Sequence, residues 1–343
     1  MPRYKPCGGG ITARARRNSP SCAKYAVSCA AQHLVLQIGR HRVACDLPAS
    51  IGMSMRESLD QYLVAEAISA GATFNDGSAV RAIEQDGAVL RVATDGLVAS
   101  ARYVIGADGA NGVTARLAGF PSAIERGTAI EAEIMVDDSA RGKYDQSALL
   151  DFAAVAGGYA WIFGKSDHLS VGVYTIDAAA RRDLRPALAT FLSGNEDLCK
   201  GTVMLQRGHR VPLAGDRASR VLGNVLLAGD AAALADPLTG EGISYAVASG
   251  RRAAATVLAA LAAGPNMLSS YDDYLRDDLT KDLKFAGIVA GIAYRFPRFG
   301  LQLTEDHPGM QSLVAAVISG TEDYRTLAGR LISRSPKLLR YIM

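Results

Sequence analysis

The residues best suited to ligand chemistry lie in one stretch, residues 225–243. A short apolar run ends in Gly-Asp, a loop stiffened by proline follows, and two further glycines precede a helix. Glycine lets the backbone approach a ligand, and a helix that begins there directs unpaired N–H groups and about half a positive charge at it. The stretch predicts a site for a flat, anionic ligand, built by Gly229, Asp230, Pro237, Gly240, Gly242 and Ile243.

A second candidate carboxylate, Asp108, follows a predicted strand. Residues 103–106 are apolar and run into Gly106-Ala107-Asp108-Gly109. The carboxyl end of a parallel strand is where α/β proteins bind ligands, and a carboxylate there suits a ribityl or ribose hydroxyl. Asp also commonly caps the helix that follows it. The spacing alone favours neither role.

Residues 1–10 contain two prolines and three consecutive glycines, which predicts a loop and excludes a helix or a central strand. At Gly8, Gly9 and Gly10 the backbone can pass close to a ligand. A mobile terminus with no ligand is an equally good interpretation of this composition.

Three aromatic residues, Tyr159, Trp161 and Phe163, alternate with smaller residues and therefore share one face of a predicted strand. Such a stripe belongs to a core more often than to a binding wall, because burial is the ordinary use of aromatic rings. Lys165 and His168, just beyond the stripe, are expected to lie on the surface.

The periodicity along the chain predicts an α/β protein. A helix is expected from Met55 to about Gly71, a three-stranded meander over residues 79–103, an antiparallel β-rich block over 119–215, and a helix over 244–263. In the β-rich block, Glu131 and Glu133 alternate with apolar residues, which predicts a half-exposed strand. The sequence therefore predicts three units: a discontinuous unit of residues 1–118 with 216–264, the inserted block 119–215, and a helical C-terminal region 265–343.

Composition excludes several classes of function. The formal net charge of +3 is spread without a basic stripe, which argues against nucleic-acid binding. The five cysteines include no Cys-x-x-Cys and no metal-ligand spacing, so neither a disulfide framework nor a metal site is predicted, and a reducing, cytoplasmic location is favoured. No apolar run is long enough to span a bilayer, and the first residues do not form a signal peptide.

The basic C-terminal tail suggests a peripheral contact with an anionic membrane surface, although a solvated helix face is the commoner use of such residues. The tail contains Arg330, Arg334, Lys337 and Arg340.

Four segments together resemble the geranylgeranyl reductase family of flavoproteins, within the larger para-hydroxybenzoate hydroxylase-like superfamily. Two segments contain the aspartates named above and are typical of FAD enzymes of the superfamily, and the other two narrow the resemblance to the reductases. The segments are Pro2-Arg3-Tyr4-Lys5-Pro6-Cys7-Gly8-Gly9-Gly10, Gly106-Ala107-Asp108-Gly109-Ala110-Asn111, Gly158-Tyr159-Ala160-Trp161-Ile162-Phe163-Gly164-Lys165, and Gly229-Asp230-Ala231-Ala232 with Gly240-Glu241-Gly242-Ile243.

The resemblance implies an FAD cofactor in an extended pose. It places Asp230 near the ribityl and pyrophosphate groups, the N–H groups of Gly242 and Ile243 at the flavin O2, and Cys7 to Gly10 over the isoalloxazine face. Residues implied to bind the cofactor are Gly8, Gly9, Gly10, Arg56, Asp108, Gly109, Gly229, Asp230, Pro237, Gly240, Gly242 and Ile243.

The resemblance also implies reduction of double bonds in a prenyl chain, with a prenyl lipid or diphosphate as substrate and NADPH or ferredoxin as electron donor. The aromatic stripe of Tyr159, Trp161 and Phe163 would then line an isoprenoid tunnel. Cys7 is the acidic side chain of the resembling loop and becomes the candidate proton donor.

Two departures from the family pattern qualify this expectation. The family usually has Phe-Pro-Lys where this chain has Phe163-Gly164-Lys165, which predicts a less rigid tunnel wall. Family members also place a strand, a Gly-x-Gly-x-x-Gly turn and a helix before the Arg-Tyr-Lys-Pro segment, whereas this chain starts at that segment. We therefore expect a truncated reductase with an incomplete Rossmann-like FAD domain that binds FAD more weakly.

Two alternatives to a prenyl reductase remain at this point. One is a flavin-dependent aromatic monooxygenase or halogenase of the same superfamily. The other is a catalytically silent fragment that binds no flavin.

Overall fold

The computed structural model describes residues 3–19, 29–121, 126–215 and 219–334. Strands in these residues are β1 (Gly10–Ile11), β2 (Cys29–Ile38), β3 (His41–Met53), β4 (Val80–Asp86), β5 (Val89–Thr94), β6 (Val98–Ala101), β7 (Val104–Gly106), β8 (Arg126–Met135), β9 (Ser147–Asp151), β10 (Gly158–Gly164), β11 (Leu169–Thr175), β12 (Thr202–Pro212), β13 (Val221–Leu222) and β14 (Val225–Leu227).

The α-helices of the same residues are α1 (Ala13–Asn18), α2 (Arg56–Ser69), α3 (Thr114–Leu117), α4 (Asp138–Gly142), α5 (Leu184–Gly194), α6 (Ile243–Ala263), α7 (Ser269–Tyr274), α8 (Lys281–Arg295), α9 (Pro297–Asp306), α10 (Pro308–Ser319) and α11 (Tyr324–Arg334). Short 3₁₀ turns lie at Ala180–Asp183, Gly229–Ala232 and Pro265–Leu268, and a π-helical turn at Leu275–Thr280.

The largest sheet has eight strands in the order β1-β3-β2-β9-β10-β11-β8-β12. The pair β2 and β9 is parallel, with His33 opposite Ser147, and the other pairs are antiparallel. Because of that parallel pair, strands from residues 10–53 and from residues 126–212 share one sheet. Strands that the sequence assigns to two different units, before and after position 119, therefore lie in one sheet.

The two faces of this sheet carry different side chains, because residues alternate across a strand. One face packs on α5, where Ile162, Val171, Val173, Leu184 and Leu188 form a closed apolar core. The opposite face carries the aromatic stripe of β10 and turns toward a cavity. The cavity is thus built on the outer surface of a well-packed layer.

Two smaller sheets flank this layer. β7 and β14 are parallel and are extended by antiparallel β13, while β4, β5 and β6 form the meander predicted from the sequence. The C-terminal helices pack around β14 in a core that includes Leu226, Leu227, Leu275 and Leu283. The predicted α/β class, with an antiparallel sheet and a helical C-terminal region, is confirmed.

Two expectations about burial are wrong. Glu131 and Glu133, predicted on the exposed side of a strand, are 2% and 4% exposed, because that side of β8 faces the N-terminal segment and the cavity. Lys165 and His168, predicted on the surface, are also buried, because the turn that contains them folds back toward β8. Single-strand periodicity cannot reveal a second layer on the polar side.

Within the part of the chain described, no helix is long and apolar enough to cross a membrane. Arg330 and Arg334 lie on α11, and Lys337 and Arg340 of the basic tail lie outside the described residues.

The single tryptophan provides a test of the sheet packing. A Cβ at Gly172 would come within 2.3 Å of the Trp161 ring and 2.5 Å of the Ile130 carbonyl oxygen. We expect Gly172→Ala to lower the free energy of unfolding by about 1–3 kcal/mol and to shift the tryptophan fluorescence, because the ring must move.

Gly208→Ala is the matched control, since Gly208 also lies in this sheet and a Cβ there would meet only ordinary contacts at 3.6 and 3.8 Å. Equal fluorescence in the two variants would contradict the packing described for Trp161.

Candidate active site

One large cavity of about 790 Å³ collects the residues that the sequence singled out. Its wall includes the N-terminal segment, the start of α2, the turns after β7 and β14, the start of α6 and the aromatic stripe. Every residue predicted to bind cofactor or substrate lines it, with the exception of Pro237. The lining residues among them are Cys7, Gly8, Gly9, Gly10, Arg56, Asp108, Gly109, Tyr159, Trp161, Phe163, Gly229, Asp230, Gly240, Gly242 and Ile243.

The parallel pair of β7 and β14 brings the two aspartate motifs together. Gly106 lies opposite Leu227, so both strands end at the same edge of the small sheet. Asp108 follows one strand and Gly229-Asp230 follows the other. This is the edge at which open α/β sheets bind ligands.

Asp108 caps the helix that follows it. One carboxylate oxygen accepts hydrogen bonds from the N–H groups of Val113 (2.6 Å) and Thr114 (2.8 Å), at the start of α3. The same side chain lies in the cavity wall. The capping interpretation is therefore confirmed, and the contact with a cofactor stays a prediction.

The turn after β14 is tightly wound. Gly229 has φ +57° and donates its N–H to the Ser249 hydroxyl at 2.9 Å. Ala233 also has a positive φ of 54°, the only such non-glycine value among the described residues. A left-handed alanine is strained and is held here by its hydrogen bond to the Asp230 carbonyl (3.1 Å).

Tyrosine hydroxyls hold the loop from Asp236 to Gly242. Tyr174, Tyr294 and Tyr159 donate to three consecutive backbone carbonyls, those of residues 237, 238 and 239. Tyr324 donates to the Asp236 carboxylate at 2.5 Å. Pro237 thus contributes a carbonyl that fixes the loop, although its side chain is outside the cavity wall.

The loop delivers the start of α6 to the cavity. Glu241 accepts hydrogen bonds from the N–H (2.7 Å) and the hydroxyl of Ser244, which satisfies the first turn of the helix. Gly242, the residue before the helix, would bring a Cβ within 3.0 Å of Asp230. The start of this 21-residue helix therefore faces the cavity, and Gly242 places no side chain in front of it.

A buried lysine fixes the glycine segment. Lys165 Nζ donates to the carbonyls of Gly8 (2.8 Å) and Ser54 (3.2 Å). Gly9 has φ +72°, and a Cβ there would come within 1.9 Å of the Ser54 carbonyl oxygen. Burial lowers the pKa of Lys165, and the charges of Glu133 and Glu131 oppose that shift. The glycine segment is therefore an ordered wall of the cavity.

Ion pairs order the charged rim. Arg56 makes a two-point contact with Asp60 (2.8 and 3.0 Å), which also binds Arg3 at 2.9 Å. Lys5 Nζ lies 3.3 Å from Asp230 Oδ2. The rim thus presents cations beside the start of α6, an arrangement suited to a phosphorylated ligand.

A family profile described as "FAD binding domain" matches residues 12–282. The chain belongs to this FAD-binding family. Among curated relatives of this chain is an uncharacterised protein of Methanosarcina barkeri, 29% identical over 86% of this chain and 75% of its own length.

Two other relatives have named activities. A chloroplastic geranylgeranyl diphosphate reductase of Oryza sativa is 29% identical over 65% of this chain, and a digeranylgeranylglycerophospholipid reductase of Methanopyrus kandleri is 28% identical over 68%. The matches cover 51% and 66% of those proteins, so the chain spans about half the length of the rice enzyme.

Solved structures show the same fold. A geranylgeranyl bacteriochlorophyll reductase-like protein of Thermoplasma acidophilum superposes with a TM-score of 0.79 at 18% identity, covering 97% of this chain and 89% of that one. The flavin-dependent brominase Bmp2 superposes with a TM-score of 0.76 at 14% identity, covering 98% and 91%.

The cavity wall has features that suit a flat, polar ligand such as FAD. Buried polar atoms in the cavity wall, the Tyr4 hydroxyl and His209 Nε2, have no hydrogen-bond partner among the described residues and can meet a polar ligand. A Cβ at Gly8 would fall within 2.7 Å of the Phe163 ring, so only glycine leaves a flat surface there.

Sequence reasoning missed several residues of this site: Tyr4, Asp60, Glu131, Lys165 and His209. Burial and the nearby Lys5 lower the pKa of His209, which favours a neutral ring. The sequence signal that could have indicated them is the set of charged residues on β8, Glu131 and Glu133, and just after β10, Lys165. Their convergence depends on strands paired far apart in the chain.

The contact between Tyr324 and Asp236 should stabilise the cavity loop. Asp236 is 1% exposed, and Tyr324→Phe removes its hydroxyl donor. We expect a loss of about 1–3 kcal/mol in the free energy of unfolding, measured by urea denaturation, because a buried carboxyl group loses its hydrogen-bond donor.

Tyr144→Phe is the control. Tyr144 donates to Asp197 at 3.0 Å, but Asp197 is 18% exposed and keeps its contact with Lys143. Its loss should be smaller, and a loss equal to that of Tyr324→Phe would contradict the special role of the buried pair.

Glu131 should make stability depend on pH. Burial and the Glu133 carboxylate raise the pKa of Glu131 from 4.5 to about 7. The folded chain then holds this proton to a higher pH than the unfolded chain, so the stability that the group contributes is fully present below about pH 4.5 and is lost as the pH rises through about 7.

We expect Glu131→Gln to remove this component, so that the stability of the wild type relative to the variant falls between pH 4.5 and 7 in urea denaturation. Glu84→Gln, at an exposed strand position, is the control. A difference between wild type and Glu131→Gln that is constant with pH would show that the Glu131 pKa is not raised.

Proposed function

We propose that this FAD-binding protein is an oxidoreductase that reduces carbon–carbon double bonds of a prenyl chain. One observation carries the proposal: the aromatic stripe lies in the same cavity as the glycine segment and the start of α6. An apolar substrate surface and the cofactor surface therefore meet, with Gly8 against Phe163. The names of the relatives in rice and Methanopyrus kandleri support the same substrate class.

The apolar side of the cavity suits a hydrocarbon chain. Trp161 and Phe163 stack at 6.2 Å between ring centroids, Tyr159 follows at 6.3 Å from Trp161, and Leu34, Ala148 and Leu150 extend the wall. The hydroxyl of Tyr159 is bonded to the loop carbonyl of Thr239, so its ring presents an apolar surface. Such a wall excludes water from a prenyl chain.

The cofactor surface is assigned to the start of α6 and to the cationic residues of the cavity rim. The start of α6 at Gly242 and Ile243 would stabilise the negative charge that develops on the flavin ring. Lys5, Arg3 and Arg56 would lie near the phosphates of the cofactor. Reduced FAD would supply a hydride to one alkene carbon, drawing electrons from NADPH or ferredoxin.

The second alkene carbon needs a proton. Cys7 lines the cavity at the junction of the two surfaces, and its sulfur accepts a hydrogen bond from the Gly9 N–H at 3.4 Å. We assign the thiol of Cys7 as the proton donor.

The test begins with the visible spectrum of the purified chain and continues with anaerobic mixing of the dithionite-reduced protein with geranylgeranyl diphosphate. We expect flavin absorption, reoxidation of the flavin by the prenyl chain, and a product heavier by two hydrogens per reduced bond. Cys7→Ser should keep the flavin spectrum and lose about 10²-fold in turnover.

Cys199→Ser is the control, because Cys199 is exposed and outside the cavity. An unchanged rate in Cys7→Ser would remove that residue from the mechanism. Oxygen consumption that depends on an aromatic substrate or a halide would indicate a monooxygenase or halogenase, and a colourless folded chain would indicate a fragment without cofactor.

A further inference from the structure

A row of ionisable side chains connects the protein surface with the cavity wall. Asp167 is 71% exposed at one end, and the side chains of His168 and Glu133 are 8% and 5% exposed behind it. Glu131, 2% exposed, lines the cavity at the other end. Buried ionisable groups are costly unless they are paired, so this cluster of them needs an explanation.

The outer half of the row is hydrogen-bonded throughout. Asp167 Oδ1 lies 2.6 Å from His168 Nδ1, and His168 Nε2 lies 3.0 Å from Glu133 Oε2. Burial would lower the pKa of His168, but the hydrogen bonds to Glu133 and Asp167 outweigh it and raise this pKa. An imidazole bonded at both nitrogens can take up a proton on one side and release it on the other.

The inner half contains unpaired oxygens. Glu131 lies two residues before Glu133 on the same face of β8, and its Oε1 accepts a hydrogen bond from the Ser170 hydroxyl at 2.8 Å. Glu131 Oε2 and the Tyr4 hydroxyl are buried with no hydrogen-bond partner among the described residues. Burial raises the pKa of Tyr4, and the charges of Glu131 and Glu133 raise it further. Tyr4 and Glu131 line the same cavity.

The row ends beside Cys7. Tyr4, Cys7 and Glu131 all line the cavity, and the N–H of Cys7 is close enough to Glu131 to lower the pKa of that carboxyl, against the larger effect of burial. The charged and titratable groups that face Glu131 from the surrounding elements are Tyr4, Cys7, Glu133, Lys165, Arg207 and His209.

We propose that Glu131 stores the proton that restores the Cys7 thiol after each reduction, and that Asp167, His168, Glu133 and Tyr4 refill it from solvent. This proposal rests on the function proposed above and adds the route by which the second reactant, a proton, enters a closed apolar cavity.

The atoms and electrons balance in each turnover. Reduced flavin would supply a hydride to one alkene carbon, the Cys7 thiol would give its proton to the other, and the π bond would be lost. The Cys7 thiolate takes the proton of Glu131, whose carboxylate is reprotonated through Tyr4 and Glu133 by His168. Asp167 returns a proton from solvent to His168.

The test compares His168→Gln with wild type in the full chain, using geranylgeranyl diphosphate and dithionite-reduced flavin. We expect turnover to fall about 10²-fold with KM unchanged, and added imidazole to restore much of it, because a small base can replace a missing proton carrier but not a missing packing contact. His33→Gln is the matched control, since His33 pairs with Asp46 at 2.8 Å on the exposed side of the sheet.

A second readout needs neither substrate nor cofactor. In the infrared spectrum of the resting chain, the carbonyl stretch of a protonated carboxylic acid should titrate with a midpoint near pH 7 and be absent from Glu131→Gln. Both the band and imidazole rescue support the relay.

If the wild type reduces the prenyl diphosphate and His168→Gln does so at the same rate, the relay is wrong and the proposed function stands. A wild-type chain that binds flavin but reduces no prenyl diphosphate overturns the proposed function, and in that case the relay falls as well if the Glu131 band is missing. A band that persists in Glu131→Gln overturns the assignment of the proton store.

Discussion

The structure depends on the hydrogen bonds that the backbone carbonyl groups of one buried loop, residues 236–242, accept from tyrosine side chains. Residues 237, 238 and 239 present three consecutive carbonyls inside the protein, where an unpaired carbonyl would be costly. Tyrosine hydroxyls from β10, β11 and α8 supply the three donors, and Tyr324 on α11 binds the carboxylate of Asp236. The large sheet and the C-terminal helices are therefore joined at the loop that aims α6 into the cavity.

The same contacts give the aromatic stripe two roles. The ring of Tyr159 faces the cavity while its hydroxyl donates to the loop. The ring centroid of the neighbouring Tyr174 lies 5.6 Å from that of Tyr159. A change at either tyrosine would therefore disturb the cavity wall and the loop from Asp236 to Gly242 together. The periodicity favoured a core position for the stripe, and the structure places it both in a core cluster and in the cavity wall.

Buried charge is concentrated under the N-terminal segment. Lys165 offsets the charge of Glu131 and Glu133 and also satisfies the carbonyls of Gly8 and Ser54. Removing Lys165 would leave the two carboxylates without this nearby cation and the two carbonyls without their donor. These contacts hold the glycine-rich segment in place. A segment that composition alone describes as flexible becomes a rigid wall of the cavity.

The sequence by itself determined the glycine turns, the positions of Asp108 and Asp230, the meander, and the helices α2 and α6, since these depend on local propensity and periodicity. The helix predicted over residues 244–263 agrees with α6, Ile243–Ala263, to within one residue. Only the tertiary structure decided that Glu131, Glu133, Lys165 and His168 are buried and that four tyrosines hold one loop. Those contacts join residues dozens of positions apart, and no local pattern encodes which strand or helix will cover a polar face.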